Sequence, residues 1–201
     1  MPTHKKVKTI IAALLTTVLL ACTHGALAAE NETAVFGAGC FWCVEAFYEQ
    51  QPGVTSVVSG YAGGGETEPN YKQVSGGKTG HAEVVQVEFD PAVTSYEKLV
   101  EFFWKTHDAT DGRGVAPDFG KQYRSIILFA TPEQQAVAEK SKAAQSAKLG
   151  EPIATEIQSL EKFYPAEEYH QEYVRRNPTD GYVVGVAIPK LKKLGVKIPP
   201  Q

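Results

Sequence analysis

The order in which hydrophobic periodicity changes along the chain is the strongest constraint on its fold. Residues 33–36 read as a short strand that runs into Gly37-Ala38-Gly39. Residues 40–50 read as a helix with Phe41, Val44, Phe47 and Tyr48 on one face, ended by Pro52-Gly53. Residues 54–61 form a second strand, followed by a glycine-rich loop through Gly63-Gly64-Gly65. In residues 81–89, Val85, Val87 and Phe89 alternate with Gln86 and Glu88, the period of a half-buried strand. Thr94-Ser95-Tyr96-Glu97 has the form of a capping box led by Thr94. Behind it Tyr96, Leu99, Val100, Phe103 and Trp104 share one helical stripe. A glycine-bearing loop over 108–121 then leads to a strand at 124–130. The order β-α-β-β-α-β is that of the split βαβ, or ferredoxin-like, plait, so the expected fold is α/β (α+β), two layers, with helices on one face of a mixed sheet. Further elements follow: a helix opened by Thr131-Pro132 and closed by Gly150, a strand at 153–160, and a short helix at 166–176. The tail after Pro189 is expected to be irregular. There is no internal repeat, and residues 30–201 are expected to form one domain.

The N-terminus reads as an export signal. Lys5, Lys6 and Lys8 precede an apolar run of twelve residues, 10–21, too short to span a bilayer but suited to a signal-peptide core. Ala26-Leu27-Ala28 offers cleavage after residue 28, giving residues 1–28 as the signal peptide. Leu19-Leu20-Ala21-Cys22 offers the alternative, a lipobox that would remove 1–21 and lipidate Cys22. The expected location is therefore exported, periplasmic or envelope-associated, with membrane contact only through that lipid. Either exit leaves Cys40 and Cys43 as the only cysteines of the folded body, in an oxidising compartment. With 20 basic against 23 acidic residues the chain lacks the basic excess of a nucleic-acid binder.

Cys40 lies where a glycine turn after a strand becomes a helix, a place where free amides and the helix dipole favour a thiolate. A buried structural cysteine is the alternative, but two cysteines at i and i+3 in Cys40-Phe41-Trp42-Cys43 favour redox work. A zinc site would need a second pair, and the five histidines show no ligand spacing. A c-type haem would need His where Val44 stands. Strand periodicity puts Glu83 on the apolar face with Val85, Val87 and Phe89; there its pKa would rise and it could donate a proton near neutrality. The other reading is that Glu83 begins the strand and points to water.

Four segments in order carry a specific resemblance: Gly39-Cys40-Phe41-Trp42-Cys43-Val44-Glu45, Thr79-Gly80-His81-Ala82-Glu83-Val84, Gly120-Lys121-Gln122-Tyr123-Arg124-Ser125, and Phe163-Tyr164-Pro165-Ala166-Glu167-Glu168-Tyr169-His170-Gln171. Together they resemble the A-type peptide methionine sulfoxide reductases over roughly residues 35–178, in the subgroup with a GCFWC motif. The resemblance implies reduction of the S epimer of methionine sulfoxide, free or in proteins, in repair of oxidised proteins, with no metal or bound cofactor. It implies that Cys40 is the nucleophile and Glu83 the acid that protonates the departing oxygen. Tyr71 and Tyr123 match phenols that hydrogen-bond that oxygen, Asp118 a site aspartate that orients the pocket, and Phe41 and Trp42 the aromatic walls for the S-methyl group. Tyr169 and His170 are read as structural.

The main departure is Cys43, where many relatives carry glycine and use cysteines near the C-terminus. Attack by Cys40 leaves a sulfenic acid that needs a thiol partner. Cys43 is the available one, so a Cys40–Cys43 disulfide recycled by a thioredoxin-like reductant is expected, with loosening of the first helical turn. The chain is expected to act as a monomer. Two other readings are a thioredoxin-like disulfide oxidoreductase, disfavoured by strand order and the lack of a recognisable cis-proline loop, and an envelope binding protein anchored through Cys22. Met1 is the only methionine, so a processed chain would carry none of the residue such an enzyme repairs.

Overall fold

The computed structural model describes residues 30–197. The proposed signal peptide and Cys22 lie outside the described residues. The elements in chain order are β1 (Glu32–Ala38), α1 (Phe41–Tyr48), β2 (Val54–Ala62), α2 (Tyr71–Ser75), β3 (Ala82–Phe89), α3 (Tyr96–Thr106), β4 (Gly114–Val115), β5 (Asp118–Phe119), β6 (Ser125–Phe129), α4 (Pro132–Leu149), β7 (Glu156–Ser159), β8 (Tyr164–Pro165), α5 (Tyr173–Arg176) and α6 (Ile188–Lys193).

The main sheet has the order β7-β6-β1-β3-β2-β8. Its four central strands, β6-β1-β3-β2, are each antiparallel to the next and reproduce the expected plait. β7 joins β6 in parallel and makes the sheet mixed, while β8 extends the other edge. Alternation along each strand sorts side chains to two faces. Ala34, Phe36 and Ala38 of β1 and Val85, Val87 and Phe89 of β3 pack beneath α1 and α3, against Val44, Tyr48, Leu99, Val100 and Phe103. Val35, Val84, Ile126 and Leu128 form a smaller core on the opposite face with Leu160 and Phe163. The Phe36 ring centres the larger core, 5.1 Å from Tyr48 and 5.6 Å from Phe103.

Several expectations are corrected. The α3 cap is Ser95, whose hydroxyl accepts from Lys98 N, and Thr94 is buried with its own amide bonded to Asp90. The strand expected at 153–160 is shorter, β7 at Glu156–Ser159, and β8 follows it. The segment 166–176 is not one helix: a single 3-10 turn at Glu168–His170 gives way to α5 through Glu172, which holds a left-handed φ of 55°. The chain after Pro189 is helical through Lys193 rather than irregular. It follows directly on a π-helical turn at Val183–Ala187. A helix the sequence reading passed over, α2, is held by a reciprocal cap between Asn70 and Gln73.

Candidate active site

Antiparallel pairing brings the C-terminal ends of β1 and β2 to the N-terminal ends of β3 and β6, and the chemistry-bearing residues gather there. Ala38 pairs with Ser125, and Tyr61 with Glu83. Gly39 makes the turn into α1 with φ +87°, and a side chain there would press on Val115 at 2.9 Å. Only glycine takes that conformation without strain. Cys40 follows as the N-cap of α1, with an extended ψ of 123°.

Glu83 points into the helix-covered face, as strand periodicity allowed, and is 1% exposed. Its Oε2 accepts from the Phe41 N–H at 3.1 Å, which ties β3 to the start of α1 beside Cys40. Burial pushes its pKa up to about 8, with the charges of Asp118 and Cys43 adding and the Phe41 amide opposing.

Burial works against the expected thiolate at Cys40. Burial pushes the thiol well above its usual range, and the hydrogen bond with Cys43 and the charge of Glu83 push the same way; the Trp42 amide opposes them and loses. Cys43 is pulled down by its hydrogen bond with Cys40, against its own burial, and Lys190 and Tyr182 add to the pull. Cys40 and Cys43 are not joined by a disulfide. Cys40 is outside the helix proper, joined to it by Cys43 N–H donating to Cys40 O at 3.1 Å, so the expected nucleophile sits on the turn rather than within the first helical turn.

Tyr71 and Tyr123 arrive from separate elements and are both half-buried. Burial, then the Glu83 charge, raises both phenols, Tyr71 up to about 12, so both remain donors. Gln122 Nε2 donates to Ser75 O at 3.0 Å and ties the turn carrying Tyr123 to α2 carrying Tyr71. Glu167 braces the other side, accepting from Tyr71 N at 3.0 Å and from Tyr61 Oη at 2.8 Å.

Phe41 is fully buried among Tyr61, Tyr71 and His170, so it backs the site from within the core. Trp42 is the half-buried aromatic face. It lies flat on Tyr173 at 3.7 Å between centroids, and its Nε1 donates to His170 Nδ1 at 3.0 Å. His170 therefore positions Trp42, in keeping with a structural role; its buried Nε2 has no partner among the described residues. Asp118 accepts from Tyr182 Oη at 2.6 Å, and that oxygen lies 3.9 Å from Cys43 Sγ.

Tyr182, Tyr173 and Glu167 were missed as site residues by the sequence reading. Tyr182 lies 64 residues from Asp118 and 139 from Cys43, in a segment with no local pattern of its own. Glu167 sits inside one of the matching segments, which was its only signal.

A buried carboxylic acid, two thiols, two phenols and an aromatic face on a ferredoxin-like plait define a thiol-dependent oxidoreductase. The sequence profile of the family described as peptide methionine sulfoxide reductase matches residues 32–199. The chain is 51% identical over 164 residues to the peptide methionine sulfoxide reductase MsrA of Haloquadratum walsbyi, covering 82% of this chain and 94% of that one. Among solved structures, Mxr1 of Saccharomyces cerevisiae in reduced form superposes with a TM-score of 0.72 at 35% identity, covering 75% of this chain and 88% of that one. Mxr1 in complex with Trx2 superposes with a TM-score of 0.52 at 27% identity, covering 72% and 85%. The chain belongs to the peptide methionine sulfoxide reductase family.

Proposed function

We propose that the protein reduces the S epimer of methionine sulfoxide, in proteins and free, by thiol chemistry at Cys40, and so repairs oxidised proteins. The observation that carries this is the buried Glu83 carboxyl, protonated near neutrality and bonded to the amide of the residue after Cys40. A sulfoxide is reduced when its oxygen is protonated while a thiol sulfur attacks the substrate sulfur. Glu83 supplies the proton, and the Tyr71 and Tyr123 phenols hold the oxygen. Attack forms a transient bond between the two sulfurs while the thiol proton restores the Glu83 carboxyl; the hydroxyl then moves to Cys40 as the S–O and sulfur–sulfur bonds break, leaving a sulfenic acid and the free sulfide. Trp42, with Phe41 behind it, receives the S-methyl group. Oxygen, methyl and attacking thiol then approach from three distinct directions, which is what selection of one sulfur epimer requires.

Cys43 next condenses with the sulfenic acid, releasing water and forming the Cys40–Cys43 disulfide. Its pull toward the thiolate and its place three residues on, with its backbone amide bonded to Cys40 O, support this resolving role. Asp118 acts through Tyr182, which it orients beside Cys43. A thioredoxin-like dithiol reopens the disulfide; the complex of Mxr1 with Trx2 supports that choice of partner. The N-terminal charge and apolar pattern supports export to an oxidising compartment.

The test is turnover of separated R and S epimers of a blocked methionine sulfoxide with dithiothreitol. Failure to reduce the S epimer overturns the reading. Cys43→Ala is expected to complete one reduction per enzyme and then stall with thioredoxin as reductant; unimpaired turnover would remove Cys43 from the mechanism.

A further inference from the structure

We infer that the lysine-rich face of α6, together with Lys105 at the end of α3, is the docking surface for an acidic face of the protein dithiol that recycles this enzyme. The inference rests on the Cys40–Cys43 reading above. A cavity of about 390 Å³ opens between α3, β4 and α6, and Lys105, Lys190 and Lys193 line it. Lys192 is exposed beside them.

Two acids, Asp108 and Asp111, share the cavity wall, but both are engaged in their own loop. Asp111 holds Arg113 through two bonds, Nη2 to Oδ2 at 2.7 Å and Nε to Oδ1 at 2.9 Å. Asp108 is turned onto Thr110, accepting from its hydroxyl at 2.7 Å and its amide at 3.0 Å. Among the described residues the arginines all sit in salt bridges, whereas no lysine does. The lysines therefore set the local field on a chain whose net charge is −3. A cationic patch on an acidic protein selects an acidic partner and orients its approach.

The patch lies on α6, whose other side packs in the cluster that holds Cys43. Val183, Ala187 and Leu191 bury Cys43 from the side of α6. Val115, in the cavity wall, packs on Gly39 next to Cys40. A partner gripping α6 is thus seated on the helix that covers Cys43. An anionic lipid surface fits less well, because Leu191, with Ile188 and Leu194, packs into the cluster that holds Cys43. In the exchange a partner thiolate attacks the disulfide, the S–S bond breaks, and the second partner thiol displaces the mixed disulfide. Two electrons and two protons pass from the partner's thiols to Cys40 and Cys43.

The experiment compares the wild type with the Lys192→Glu/Lys193→Glu double variant on blocked methionine-S-sulfoxide. The reductant is either dithiothreitol or an acidic thioredoxin regenerated by its reductase and NADPH. Expected is a fall of about tenfold in kcat/KM for thioredoxin at low salt, shrinking as salt rises, with the dithiothreitol rate unchanged. Unaltered thioredoxin kinetics would overturn the proposal, as would an equal loss with both reductants, or lysine-dependent binding to anionic vesicles with thioredoxin kinetics intact. Absence of a Cys40–Cys43 disulfide in substrate-treated wild type, seen as no loss of both thiols, would instead bring down the recycling reading on which docking depends.

Discussion

Glu83 and Cys40 respond to the same burial in a way that suits an uncharged starting state. Desolvation raises both, so near neutrality the acid holds the proton that the sulfoxide oxygen needs and the thiol is not yet ionised. The helix start at Cys40 was visible in the sequence, and so was the favourable dipole. What the sequence did not contain was the weight of the opposing burial, to which Glu83 of β3 and Val115 of β4 contribute by packing against the turn. Glu83→Gln should lower kcat about 10²- to 10³-fold with little change in KM, the usual range for loss of a general acid; steady-state kinetics on the S epimer checks this. The pH dependence has a definite sign. Glu83 is active when protonated, and its folded pKa is about 8, so activity should fall as pH rises through about 8. Were thiolate formation at Cys40 in control, activity would climb over that range. The descending limb should disappear in the residual activity of Glu83→Gln.

At the scale of elements, the four plait strands and α4 were legible from local signals: alternation in β3, turn residues between the strands, and start and stop residues around α4. Thr131 caps α4 and Gly150 closes it with a left-handed φ of 72°. The elements that were misread are those whose shape is fixed from a distance. The 166–176 segment breaks because Gln171 is bonded to Ser59 and Ala166, and because the Glu172 amide donates to the buried Glu45 carboxyl at 2.9 Å. Glu45 thereby fastens α1 to the chain that carries His170 and Tyr173. Burial, with Glu49 adding, pushes Glu45 up to about 8. A carboxyl whose folded pKa is raised stabilises the fold fully below its unfolded pKa of about 4.5. That contribution is lost as pH climbs from there toward 8. Glu45→Gln retains an acceptor for Glu172 and removes the titration. It should therefore gain stability relative to the wild type with rising pH, on the order of a few kcal/mol by pH 8. Urea denaturation from pH 5 to 9 would show it; parallel curves would refute it.

For the whole molecule, the sheet explains why the site draws on the length of the chain. Its central strands end or begin at one edge, so residues 40, 71, 83 and 123 meet although no local pattern joins them. Cys40 and Glu83 could be read from a helix start and a strand face, whereas Tyr182 reaches Asp118 only after the plait has closed. Expressed with its N-terminus in a host that exports proteins, the chain should be recovered beginning at residue 29 or with lipid on Cys22. Mass spectrometry of the purified product distinguishes these, and an uncleaved N-terminus would sink the export reading. The two tryptophans fall in different places: Trp42 stacks on Tyr173 beside both thiols, while Trp104 donates to Ser141 in the α3–α4 contact. The protein thus contains its own optical pair. Emission from Trp42 should brighten or dim with the oxidation state of the neighbouring sulfurs, and Trp104 provides a steady internal reference, so turnover can be followed in real time without attaching a dye.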